Sequence, residues 1–232
     1  MDRESMKLLS VSLWLLCATQ VAAEEPNVVP IDKEPRHRLA FESKNARVFD
    51  TRIPSGETTL YHHHERDSVY VLISGTSNLA TEQLGKPPKP LSASPGDVFF
   101  GEHSKAALTH RFSNLSAEEH HVLDIELIAG TASSSVIPAA LPAGHRRIVG
   151  NPRVRVSRFV LEPGDSFRDD AAAVSSVLVV LAGSRVGILG DSAAMQTNDA
   201  RPGWFHERKD STPRRIENIG QDRLELIEVE IK

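Results

Sequence analysis

The apolar positions of this chain fall in short runs that stop at turn residues. Leu123-Asp124-Ile125-Glu126-Leu127 alternates apolar and charged residues, the period of a half-buried strand, and Arg47-Val48-Phe49-Asp50-Thr51-Arg52-Ile53 alternates in part. Val69-Tyr70-Val71-Leu72-Ile73 and Val177-Leu178-Val179-Val180-Leu181 are dense apolar runs, each followed by a small residue and a glycine. Turn residues separate the runs at Pro54-Ser55-Gly56, Ser94-Pro95-Gly96-Asp97 and Glu162-Pro163-Gly164-Asp165. Outside the N-terminus no window of a dozen residues sustains a helical period. Many short strands at regular spacing predict an all-β sandwich or barrel.

The pattern occurs twice, with a period of about 100 residues that suits domain duplication rather than a solenoid. Gly56 and Gly75 bracket one segment, and Gly164 and Gly183 bracket another of equal length. Pro95-Gly96-Asp97-Val98-Phe99-Phe100 is echoed by Pro202-Gly203-Trp204-Phe205-His206. The closing pieces, from Asn114 to Ile128 and from Asn218 to Lys232, match as well. A Pro/Ala-rich link, Pro138 to Gly144, divides a unit at 37–137 from one at 145–232.

The start of the chain has the pattern of a secretory leader. Lys7 closes a charged start, an apolar run extends from Leu8 to Ala22, and small residues precede Glu24, which predicts a leader over 1–23 and a periplasmic or secreted protein. The apolar run is too short and interrupted for a stable membrane span. Cys17, the single cysteine, lies inside it, so the mature chain has no thiol chemistry and no disulfide. Residues 24–36 are polar and proline-rich and predict an extended arm. A net charge of −4 without a basic stripe argues against nucleic acid.

The candidate chemistry is imidazole. Alternate residues of a strand share a face, so His62 and His64 point together while His63 points away. Two imidazoles on one face are part of a transition-metal site, and His110, in the pattern His110-x-x-x-Asn114, is the third candidate. Tyr70 falls on the same strand face as a neighbour of the site. His120 and His121 are expected at a solvated strand start, and no spacing ties His37, His145 or His206 to the others.

Gly56, His62, His64 and Gly75, followed by Gly96, His110 and Asn114, resemble the two motifs of the cupin superfamily, and the repeat resembles a bicupin. The resemblance implies two tandem double-stranded β-helix (jelly-roll) barrels and a metal held by His62, His64 and His110. It does not carry over the family's carboxylate ligand, because Ser68 stands at that position. Some cupin dioxygenases use three histidines. The stretch from Gly96 to His110 is longer than the family's motif, and it makes His103 and Glu102 alternative ligands. Fe(II), Mn(II), Ni(II), Cu(II) and Zn(II) all accept imidazole and are not distinguished. In the second copy Asp170, Ala172 and Arg214 fall at the histidine positions, so it is expected to bind no metal and to pair Asp170 with Arg214. The functional readings are an oxygenase or isomerase acting on a small organic substrate, a non-catalytic small-molecule binder, and a structural bicupin. A homodimer is left open.

Overall fold

The structure, a computed structural model, describes residues 26–75, 78–128, 145–169, 175–190, 194–208 and 212–232. The expected leader, the link from Pro138 to Gly144, and Asp170 and Ala172 lie outside them.

The N-terminal half contains β1 (Val28–Pro30), a 3₁₀ turn (Ile31–Lys33), β2 (His37–Glu42), β3 (Ala46–Ile53), β4 (Tyr61–His64) and β5 (Ser68–Ser74). It continues with β6 (Leu79–Gln83), β7 (Lys89–Leu91), β8 (Val98–Gly101), β9 (Leu108–Asn114) and β10 (His120–Leu127). These strands pair in the orders β1-β4-β9-β6-β7 and β2-β3-β10-β5-β8. The C-terminal half contains β11 (His145–Gly150), β12 (Val154–Leu161), β13 (Ser166–Asp169), β14 (Ser175–Ala182) and β15 (Arg185–Leu189). Then come β16 (Gln196–Asp199), β17 (Phe205–Arg208), β18 (Arg214–Asn218) and β19 (Leu224–Ile231), and the orders here are β11-β12-β19-β14-β17 and β13-β18-β15-β16. The second half thus repeats the strand orders of the first, with no counterpart of β1 among the described residues. The all-β class matches the sequence reading, but closed barrels do not: among the described residues each half is a pair of facing sheets with free edge strands.

The two motif asparagines explain part of the repeat. Asn114 donates from Nδ2 to the carbonyls of Ile53 (2.8 Å) and Glu118 (2.7 Å), while its own carbonyl accepts from the Gly56 amide (2.9 Å). Asn218 makes the same set with Leu161, Asp222 and Gly164. Each asparagine is itself buried and ties the turn that follows it to the end of an earlier strand.

The faces of the closing strands are used in an unexpected way. Leu123, Ile125 and Leu127 of β10 do not fill their own half; they join Val48, Val69 and Val71 in a core shared with Val156, Val179 and Val229 of the other half. The intervening Asp124 and Glu126 face inward and are 1% exposed. The alternation that reads as apolar-in and polar-out is therefore buried on both faces. The contact is reciprocal at the turns as well. A Cβ on Gly203 would stand 2.5 Å from Cε1 of His121, and one on Gly96 would stand 3.0 Å from the Arg158 guanidinium. His121 pairs with Asp50 (2.8 Å), and Arg158 pairs with Glu225. His120 and His121 are accordingly both buried rather than solvated.

Candidate metal centre

β4 and β9 are neighbours, and their register sets His62 directly opposite His110. With His64 two residues further along the same face, the three imidazoles each offer a nitrogen within 4.8 Å of the others. Nε2 of His64 lies 3.2 Å from Nε2 of His110. Metal–nitrogen bonds of about 2.0–2.1 Å place two ligands of one ion roughly 3.0–3.4 Å apart, so this spacing suits a shared ion.

The other ring nitrogens are turned outward and held. Nδ1 of His62 donates to the Leu60 carbonyl at 2.9 Å, and Nδ1 of His110 is hydrogen-bonded to the Thr81 hydroxyl at 3.1 Å. Behind His64 Nδ1 stand the Tyr70 hydroxyl (3.5 Å) and Asp124 Oδ2 (3.8 Å). A carbonyl can only accept, so the Leu60 contact fixes the His62 tautomer and leaves its Nε2 as the lone-pair donor. Nε2 of His62 is buried with no hydrogen-bond partner among the described residues, as a ligand atom would be. Burial, and then the neighbouring imidazoles, hold His64 and His110 far below the usual histidine range; burial and His37 push His62 down to about 4. The rings stay neutral at physiological pH, the state in which imidazole ligates.

His63 points away as expected, toward Thr109 Oγ1 (2.7 Å) and Glu65 (3.2 Å). Ser68 and His103 are not part of the converging set. Ser68 sits opposite Glu126, two residues along the strand from the level of Tyr70 and Asp124. His103 folds back over Gly101, where a Cβ would collide with its ring, and its Nε2 accepts from the Tyr70 hydroxyl at 2.8 Å. Tyr70 does border the site, and burial keeps its hydroxyl protonated.

Two residues of this site were not found by sequence reasoning. His37, on β2, packs its ring 4.4 Å from that of His62 and gives Nδ1 to Glu34 at 2.7 Å. Burial raises the Glu34 carboxyl, but the hydrogen bond and charge of His37 outweigh it and the net shift is downward. Asp124 is the second; burial and then the charge of Glu126 push its carboxyl well above the usual range.

A cavity of about 250 Å³ opens from the triad. Ile53, Leu72, Leu91, Ala93 and Phe112 give it apolar walls, while Thr51, His37 and His120 add polar groups. The His120 ring stacks on Phe112, with centroids 4.9 Å apart. Ligand pockets usually start near 300 Å³, so this one suits a small molecule.

The same place in the second half is filled with charge. Arg214 stands opposite Asp169 on paired strands, as His110 stands opposite His62. Its Nε reaches Asp169 at 2.9 Å, and its Nη2 reaches Glu228 at 2.8 Å and Ser176 Oγ at 3.2 Å. The expected partner of Arg214 was Asp170; the residue facing it is Asp169. The first half has one extra residue between the pairs Thr58–Ser113 and His62–His110, a bulge at Leu60 that the second half lacks. Arg215, next to Arg214, points outward to Glu217.

No protein-family model matches this sequence, and no curated protein matches it by sequence. Solved structures do share its fold. AerE from Microcystis aeruginosa is 13% identical, with a TM-score of 0.59 over 86% of this chain and 98% of its own. Salicylate 1,2-dioxygenase from Pseudoaminobacter salicylatoxidans, solved with gentisate, is 14% identical, with a TM-score of 0.58 over 82% of this chain and 69% of its own. A cupin 2 conserved barrel domain protein from Leptotrichia buccalis is 14% identical, with a TM-score of 0.51 over 83% and 86%. The chain has a cupin-type fold.

Proposed function

We propose that this protein holds one divalent transition metal ion on His62, His64 and His110 and uses it for oxygenase or isomerase chemistry on a small organic substrate. The observation behind this reading is the convergence of three neutral imidazoles at the head of a largely apolar cavity. An ion held this way supplies Lewis acidity and, as Fe(II), dioxygen activation. Neutral ligands leave the ion's charge uncompensated, which favours an anionic or bidentate substrate group. The apolar walls exclude water, and His37 and Asp124 supply proton-handling groups beside the triad. Those two groups favour catalysis over passive binding. The dioxygenase among the structures of like fold supports the same class.

The division into units 37–137 and 145–232, with a leader over 1–23, completes the proposal as an exported protein, periplasmic or secreted. Oxygen uptake by the metal-loaded protein, measured against a panel of small acids and diols, tests it. Uptake that His62→Ala abolishes is the expected result. Binding of panel members without turnover, by either oxygen uptake or product analysis, would instead establish a non-catalytic binder.

A further inference from the structure

The arm that precedes β2 is built into the candidate metal centre. β1 lies parallel to β4, with Val28 beside Tyr61, Val29 beside His62 and Pro30 beside His63, so the arm runs along the strand that carries two of the triad. Ile31 anchors it at 3% exposure. Glu34 follows the 3₁₀ turn and is itself buried.

A buried carboxylate needs its acceptors filled, and Glu34 fills them at the back of the site. Oε2 accepts from the amides of Arg36 (2.8 Å) and His37 (3.1 Å) and from Nδ1 of His37 (2.7 Å). Oε1 accepts from the Leu60 amide at 3.1 Å. Leu60 is the bulge residue, whose backbone groups have left the strand ladder. Its carbonyl is the acceptor for Nδ1 of His62. One side chain thus holds the bulge from one end while the bulge sets the aim of His62 from the other. Bulges beside active sites re-aim side chains in this way, and the half without the triad has no bulge here.

We infer that Glu34 is a positioning residue of the metal centre: it locks the Leu60 bulge and the His62 ring, so arm docking and metal loading stabilise one another. This rests on the metal-binding reading above. Reciprocity follows from linkage: if the docked arm tightens metal binding, bound metal tightens arm docking by the same factor. Outer partners of ligating histidines contribute about 10–100-fold in metal affinity, and that is the size expected here.

The test titrates Co(II) and Zn(II) into chelator-stripped full-length protein, for wild type, Glu34→Gln and the exposed neighbour Asp32→Asn. Glu34→Gln is expected to bind about 10–100-fold more weakly and to show an altered Co(II) absorption spectrum, with Asp32→Asn unchanged. Limited proteolysis of the wild type, which needs no variant to fold, is expected to cut within residues 26–36 more slowly when metal is present. Wild-type affinity and spectrum in Glu34→Gln, or equal cutting with and without metal, would overturn the inference. Failure of the wild type itself to take up either ion would bring down the metal reading, and this inference with it.

Discussion

Oδ2 of Asp124 stands 3.8 Å from Nδ1 of His64, in the interior of the N-terminal half. The carboxylate that is missing from the strand motif is thus replaced, in space, by one from the closing strand. It lies behind a histidine rather than among the converging nitrogens, and both of its oxygens are buried without a hydrogen-bond partner among the described residues.

That position has a pH signature. The Asp124 carboxyl titrates well above its ordinary value in the folded protein because burial disfavours its charge. Its contribution to stability is therefore complete below pH of about 4 and is lost as pH rises toward the folded value. Asp124→Asn cannot ionise, so in chelator its melting temperature is expected to gain on the wild type as pH increases. A constant difference in melting temperature across pH would refute the assignment.

The buried histidines act in the opposite sense. His62 and His120 are each pushed down to about 4 from an ordinary value near 6.5, mainly by burial, and His64 and His110 are lowered too. Groups with lowered folded values contribute fully above pH 6.5 and lose that contribution as pH falls toward 4. Each adds a slope of about 1.4 kcal/mol per pH unit within that window. Metal-free protein should lose stability steeply between pH 6.5 and 4, and bound metal should extend the stable range downward. Urea unfolding at half-unit pH steps, with and without Zn(II), reads both effects.

In the second half, Arg214 neutralises Asp169 and Glu228 together. Arg214→Met would take the cation from buried Glu228 and leave Asp169 to Arg208, 3.3 Å away, at a cost of about 3–5 kcal/mol. Glu228, pushed up to about 7 by burial and then by Asp169, relieves part of that cost by staying protonated. The destabilisation should accordingly be larger at pH 8 than at pH 6, with metal content unchanged. Chemical denaturation at the two pH values, together with elemental analysis, checks each part.

The sequence made the duplication and the triad legible because both depend on local spacing. His62 and His64 are two apart on one strand, and His110 carries its own short motif with Asn114, on a strand that pairs with theirs. His37 and Asp124 were invisible for a different reason. Asp124 lies in a strand whose alternation implies that its polar face is wet, and only packing of the two halves through Leu123 and Ile125 reverses that. His37 reaches the site through the pairing of β2 with β3, a contact between strands that spacing does not encode. The offset between Asp170 and Asp169 has the same kind of origin, a single bulge at Leu60 shifting one register against the other.

The most direct measurement is the metal content of protein purified without added metal, set beside His62→Ala, His110→Ala, His63→Ala and His103→Ala. The expected result is close to one ion per chain in the wild type, His63→Ala and His103→Ala, and almost none in the two triad variants. Equal, near-zero metal in every sample, or loss in His103→Ala with retention in His110→Ala, would contradict a centre built on His62, His64 and His110.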